Sequence, residues 1–194
     1  MQLPEHWAKP EDFAALFQYF WHRDFPIDQK KATGAKRIDW TIHIGVIVRS
    51  IADLMGLVTR FERGGRKDAL LRSSDGDELA IEWEWQGVDK NELSKLKSHK
   101  GWPQGKQIKY AVLITYTNVD RFEDDFEQVK KYWADAKWPL LLILVGSKKS
   151  RLYSTGRDFD VIRFYLIDSG NQILLRESPA VPCNVAGSRW QLRV

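Results

Sequence analysis

The apolar positions of the chain follow two rhythms, and the changes between them predict the order of elements. In residues 11–20, Phe13, Leu16, Phe17 and Phe20 recur at the three- and four-residue spacing of one helix face, and Pro10 suits the start of that helix. Residues 21–37 form a polar connection containing Pro26 and Gly34. A longer helix is predicted over 38–55, with Trp40, Ile44, Ile47, Ile51 and Leu54 on one stripe and Gly56 placed to end it in the left-handed conformation. Three short extended runs follow, 57–62, 66–72 and 79–85. The joints between them, Arg63-Gly64-Gly65 and residues 73–78, carry turn residues, so an antiparallel meander is expected.

Helix and strand then alternate. Asp89-x-x-Glu92 is a variant of the capping box for a helix over 90–100, and 108–115 reads as an apolar strand. Asp120-x-x-Glu123 is expected to cap the next helix, whose Phe122, Phe126, Val129 and Trp133 share one face. The unbroken apolar run 140–145 suits a buried central strand, and 161–167 with 172–176 flank Ser169-Gly170-Asn171 as a hairpin. The order implies an α/β fold, a mixed central β-sheet with helices on both faces. It is expected to form a single domain over 1–194, with residues 1–37 as an N-terminal helical extension.

Composition narrows the classes of function. With 43% hydrophobic residues and nine tryptophans in 194 residues, the chain has material for a real core, which excludes disorder. No apolar run approaches the length of a membrane span, and Met1 to Lys9 lacks the apolar stretch of a secretion signal, so a cytoplasmic protein without a membrane partner is expected. The lone Cys183 excludes an intrachain disulfide and a cysteine-built zinc site. His6, His22, His43 and His99 follow no metal-ligand spacing. The net charge is +4. Basic residues gather at Lys30, Lys31, Lys36 and Arg37, at Arg60, Arg63, Arg66 and Lys67, at Lys95, Lys97, Lys100, Lys106 and Lys109, and at Lys148, Lys149 and Arg151. Any one group suits a solvated surface, but two of them flank the carboxylates described next and could meet phosphates.

Alternate side chains of a strand share a face, so in residues 79–85 Glu82 and Glu84 point one way and Ile81, Trp83 and Trp85 the other. Whether Asp68 joins the acids depends on the turn. A three-residue Ser74-Asp75-Gly76 loop, with Gly76 left-handed, sets Ser73 against Asp77 and Asp68 against Glu82, about 5 Å apart at Cβ. A two-residue Asp75-Gly76 turn would oppose Asp68 to Trp83 instead, and the sequence suits both. Three clustered carboxylates repel one another unless a proton or a divalent cation lies between them. Hard oxygen ligands favour Mg²⁺ or Mn²⁺, which in a basic surround suggests phosphodiester chemistry.

This arrangement resembles the PD-(D/E)xK, restriction-endonuclease-like nuclease superfamily. Its signature is an Asp on one strand and (Asp/Glu)-x-Lys on the next, after a helix and before a helix–strand–helix–strand run. The resemblance covers about residues 38–145 in element order. Asp68 takes the Asp place, Glu82 the acidic place, Glu84 the place usually held by Lys, and Lys67 the place often held by Pro. Some members carry Glu-x-Glu. Lys95, on the following helix, could restore the amine, although it lies off the Leu93/Leu96 stripe and is expected to face solvent. Glu62 corresponds to upstream acids that sometimes serve as ligands. The resemblance implies a restriction-endonuclease-like fold and a metal-dependent DNA endonuclease of restriction or defence type, acting as a homodimer. Its metal, Mg²⁺ or Mn²⁺, would be held by Asp68, Glu82, Glu84 and Glu62, with Lys95 catalytic. Three other readings compete: a solvated acidic sheet face, a catalytically lapsed nuclease fold serving as a binding module, and a glycosidase using two carboxylates. Trp83 and Trp85, expected on the far side of the strand from the acids, count against the last.

Overall fold

A computed structural model describes residues 9–25, 37–63, 67–74, 76–85, 87–98, 108–149 and 157–181. The Gly64-Gly65 joint, Asp75, Cys183, His6, His99, and the basic residues Lys30, Lys31, Lys36, Arg66, Lys100, Lys106 and Arg151 lie outside them.

Two helices, α1 (Pro10–Arg23) and α2 (Arg37–Leu54), precede three strands, β1 (Val58–Arg63), β2 (Lys67–Ser73) and β3 (Gly76–Glu84). Then come α3 (Lys90–Lys97), β4 (Tyr110–Asn118), α4 (Phe122–Trp133) and the strands β5 (Leu140–Lys149), β6 (Arg157–Asp168) and β7 (Asn171–Pro179). The α/β class and the mixed sheet are as expected. The seven strands lie in sequence order, β1 beside β2 through to β7. The β3–β4 and β4–β5 pairs are parallel, and every other pair is antiparallel.

Apolar side chains of the two sheet faces enter two separate cores. One joins Ile81, Val112 and Ile143 to Phe13, Phe17 and Trp21 of α1 and Trp40, Ile44 and Ile47 of α2. The other joins Ala80, Leu113 and Leu142 to Leu93 and Leu96 of α3 and Phe126, Val129 and Trp133 of α4. The α1 face therefore belongs to the same core as the sheet. Its Trp21 indole donates to the carbonyl of Ala180 at 2.7 Å, so a buried N–H is satisfied across the whole chain length. Gly56 ends α2 with φ 68°, as its position predicted.

Three local expectations are corrected. The β6–β7 connection is a two-residue turn, because Asp168 pairs with Asn171. Ser169 (φ 49°) and Gly170 (φ 82°) both take the left-handed values that match the strand twist. Asp120 does not cap α4: the Asn118 side chain accepts from the Asp120 N–H at 3.1 Å, which opens a short 3-10 turn (Val119–Arg121). The third concerns Lys67, assigned to a solvated basic group. It is only 1% exposed, and its ammonium lies 3.5 Å from the carbonyl of Ser98.

Candidate active site

The register of β2 against β3 decides whether the acids meet. Ser73 pairs with Gly76, which leaves two residues in the turn, one fewer than the three-residue loop. The register then shifts between Leu71 and Arg72: Arg72 faces Asp77 while Leu71 faces Leu79. This bulge adds back one residue on β3. Ala69 consequently faces Ile81, and the next position along sets Asp68 beside Glu82. The Asp68 carboxylate also accepts a hydrogen bond from the Trp83 N–H at 2.8 Å, which ties it to the acidic strand.

Glu82 is wholly buried, and neither of its oxygens has a hydrogen-bond partner. Its nearest cation is the Lys95 ammonium, 3.6 Å from Oε2. The same ammonium donates to Glu92 Oε2 at 2.6 Å. Lys95 is thus not turned to solvent. Lying off the Leu93/Leu96 stripe places it at the border of the sheet, where its long side chain reaches inward to Glu82. Glu92, read from the sequence as a partner in helix capping, belongs to the site instead. Asp89 alone caps α3, accepting from the Asn91 N–H at 2.8 Å. The i, i+3 spacing of Glu92 and Lys95 beside a buried stripe was the available signal for this pair.

The charges are strongly perturbed. Burial, the facing Glu92 carboxyl and the Asp68 charge push the Glu82 pKa up to about 10. Burial also raises Asp68, and the Trp83 N–H opposes that rise. For Lys95, burial works against the ammonium, but the hydrogen bond to Glu92 and the charges of Glu82, Glu92 and Asp68 outweigh it and hold the pKa above the usual lysine value. Lys95 is therefore a fixed cation at neutral pH, suited to donating hydrogen bonds and not to taking up a proton.

Glu84 lies on the same strand face as Glu82 but further out, and its Oε1 accepts from the Trp85 N–H at 2.6 Å. Glu62 is exposed, with φ 52°, and does not border the cavity at the site. That cavity, about 190 Å³, is a notch at the C-terminal end of β3, where the strand runs beyond its last pairing with β2. Asp68, Glu84, Glu92 and Lys95 form one wall, and Arg37, Trp40 and Thr41 close it from α2. Trp83 and Trp85 also line it. Their rings leave the strand on the other face, as alternation requires, yet both line the same notch as the acids. Sequence reasoning missed Arg37, Trp40 and Tyr116 as cavity residues.

Among the described residues, no three or more His, Cys, Asp or Glu side chains are grouped closely enough to hold a metal ion. This speaks against a cage of Asp68, Glu82, Glu84 and Glu62 together. Magnesium, however, uses one or two carboxylates and takes its other ligands from water and substrate phosphate. The buried carboxyl of Glu82, which accepts no hydrogen bond and lies beside Asp68, fits that smaller demand. Compared with known protein families and with curated protein sequences, the chain matches none.

Proposed function

We propose that this chain is a metal-dependent DNA endonuclease of restriction or defence type, with Asp68 and Glu82 holding Mg²⁺ or Mn²⁺ and Lys95 standing where the resemblance wants an amine. The observation that carries the reading is the convergence of one acid from β2, one from β3 and a cationic amine from α3. In this reading the restriction-endonuclease-like order of elements is kept, and the lysine has moved from the strand to the helix behind it.

Each residue has a part. Asp68, held in place by the Trp83 N–H, and Glu82, lacking any donor, are the oxygen ligands. A divalent cation bound there would neutralise charge on the scissile phosphate and make a bound water more acidic. Glu92 aims Lys95 at the pair by its 2.6 Å contact, so the ammonium can hold a phosphate oxygen or the attacking water in line. Arg37 at the rim supplies a further cation for the phosphate chain. Hydrolysis adds the water oxygen to phosphorus, breaks one P–O ester bond and leaves the departing oxygen protonated.

The test is incubation of plasmid and single-stranded circular DNA with Mg²⁺, Mn²⁺ or EDTA. Cutting is expected only with metal, and Asp68→Ala, Glu82→Ala or Lys95→Met should abolish it. Full cutting in excess EDTA or in all three variants would defeat the mechanism. Metal-independent DNA binding without cutting would favour the lapsed-nuclease module. The glycosidase reading gains the two tryptophans at the notch; hydrolysis of an oligosaccharide in EDTA, with DNA left intact, would favour it.

A further inference from the structure

The notch has a second wall that ester hydrolysis does not require. The Trp40 and Tyr116 rings form its floor, both inside the core. Trp85 stands 4.8 Å from the Tyr116 ring centre, and Trp83 meets Phe61 edge-on at 6.4 Å. Trp83 and Trp85 are only partly buried, and Phe61 is 42% exposed. A track of aromatic rings therefore runs from the edge strand β1 into the site; Trp83 and Trp85 pack on the core beneath and stay partly open to water beside the carboxylates of Asp68, Glu84 and Glu92.

The size of the space limits what can use these rings. At about 190 Å³ the notch is smaller than the ~300–1,000 Å³ of ordinary small-molecule pockets. It shares Arg37 and Glu84 with a neighbouring cavity of about 440 Å³. One ring system fits, attached to something that continues outside. A base within a duplex offers only its edges, because its faces are covered by its neighbours, so a recessed aromatic wall meets a base face only when the base has left the stack. Aromatic rings beside cations are how proteins hold unpaired strands.

We propose that the notch takes an unpaired nucleobase against Trp83 and Trp85, while Lys95 and Arg37 hold the adjoining phosphate, so that the substrate is single-stranded or frayed DNA and not intact duplex. This rests on the phosphodiester reading of the same site. One site per chain then suffices for each cut, without a second subunit.

Binding in EDTA tests the idea apart from cleavage. A fluorescent single-stranded oligodeoxynucleotide, the same strand with abasic sites at its centre, and the blunt duplex are titrated with the intact chain, read by anisotropy. Stacking of one base predicts about 5- to 150-fold tighter binding of the single strand than of the abasic strand, which keeps the phosphates and loses the rings. Trp85→Leu should lose a similar factor and Trp85→Tyr should recover most of it. The abasic comparison needs no variant to fold. Equal binding of all three probes, or binding of none, overturns the proposal. Cutting of single strand and duplex alike in Mn²⁺, with no binding preference, overturns it and leaves the nuclease reading standing. A clear single-strand preference with no cutting in Mn²⁺ supports the stacking site and defeats the nuclease reading.

Discussion

Glu82→Gln is expected to make the metal-free protein more stable. In the folded chain the Glu82 pKa is about 10, against an ordinary value of 4.5. At pH 7 the folded protein must therefore carry a proton on Glu82 that the unfolded chain does not. A carboxyl raised in this way contributes its full stability below pH 4.5 and loses it as pH rises toward 10. Between pH 4.5 and 7 the loss is about 3 kcal/mol, at about 1.4 kcal/mol per pH unit. Glutamine keeps the shape, carries no charge, and its amide can donate to the facing Glu92 and Asp68. In EDTA at pH 7 the variant should gain about 3 kcal/mol, or about 6–12 °C in Tm for a chain of this size. At pH 4 the difference should vanish. Urea or thermal unfolding of both proteins at the two pH values measures this, and subtracting wild type cancels other titrations. With Mn²⁺ the order should move back toward wild type, which binds the ion in its native state and gains about 2.7 kcal/mol at a hundredfold excess over Kd. A variant less stable than wild type at pH 7, or equally shifted at both pH values, would refute the picture of a buried acid that holds its proton at neutral pH.

Two further outcomes test the frame around the site. His43 is buried among Trp21, Phe25 and Trp40, and burial lowers its pKa to about 4 against the pull of Asp24 and a backbone hydrogen bond to Trp21; stability should be full above pH 6.5 and fall by about 3 kcal/mol as pH drops from 6.5 to 4, and His43→Leu should flatten that fall in urea titrations. A Cβ at Gly146 would lie 2.5 Å from Cε2 and 2.7 Å from Cζ of Phe122 and 2.9 Å from a Val119 methyl, so Gly146→Ala should cost about 1–3 kcal/mol, seen as a lower urea midpoint with an unchanged slope.

Much of this structure was legible in the sequence, because periodicity reports burial directly. The Phe122, Phe126, Val129 and Trp133 stripe is buried against the sheet, and the run 140–145 is fully enclosed, as read. The acidic face of β3 was likewise visible in the alternation of residues 81–85. What the sequence could not show was how Asp68 reaches it. The expected three-residue loop is absent, yet a shorter turn and a bulge between Leu71 and Arg72 give the same pairing, because side-chain facing depends only on the total count of residues between partners. The sequence marks Lys95 as a candidate amine but turns it to solvent, and marks Glu92 only as a capping residue, for another reason. Helical spacing assigns the direction of a Cα–Cβ bond, but a lysine side chain is long enough to bend from the border of a helix into the site beneath it. The tryptophans showed the reverse limit: alternation set them opposite the acids, and it could not show that they line the same notch as Glu84 and Asp68.

The sequential order of the strands has a consequence for synthesis. Each strand lies next to the one made before it, so a chain growing from its N-terminus can add every new strand to an edge already in place. Helix α1 is the exception. It is made before any strand, yet its Trp21 is anchored to Ala180 and its Gln18 accepts from Arg176 of β7. Before β7 emerges, α1 can pack against α2 and then against Phe159 and Phe164 of β6, but the Trp21 N–H still lacks its Ala180 acceptor. A helix made ahead of all seven strands thus completes its contacts only with the last of them, which leaves a chaperone a long time to act on it.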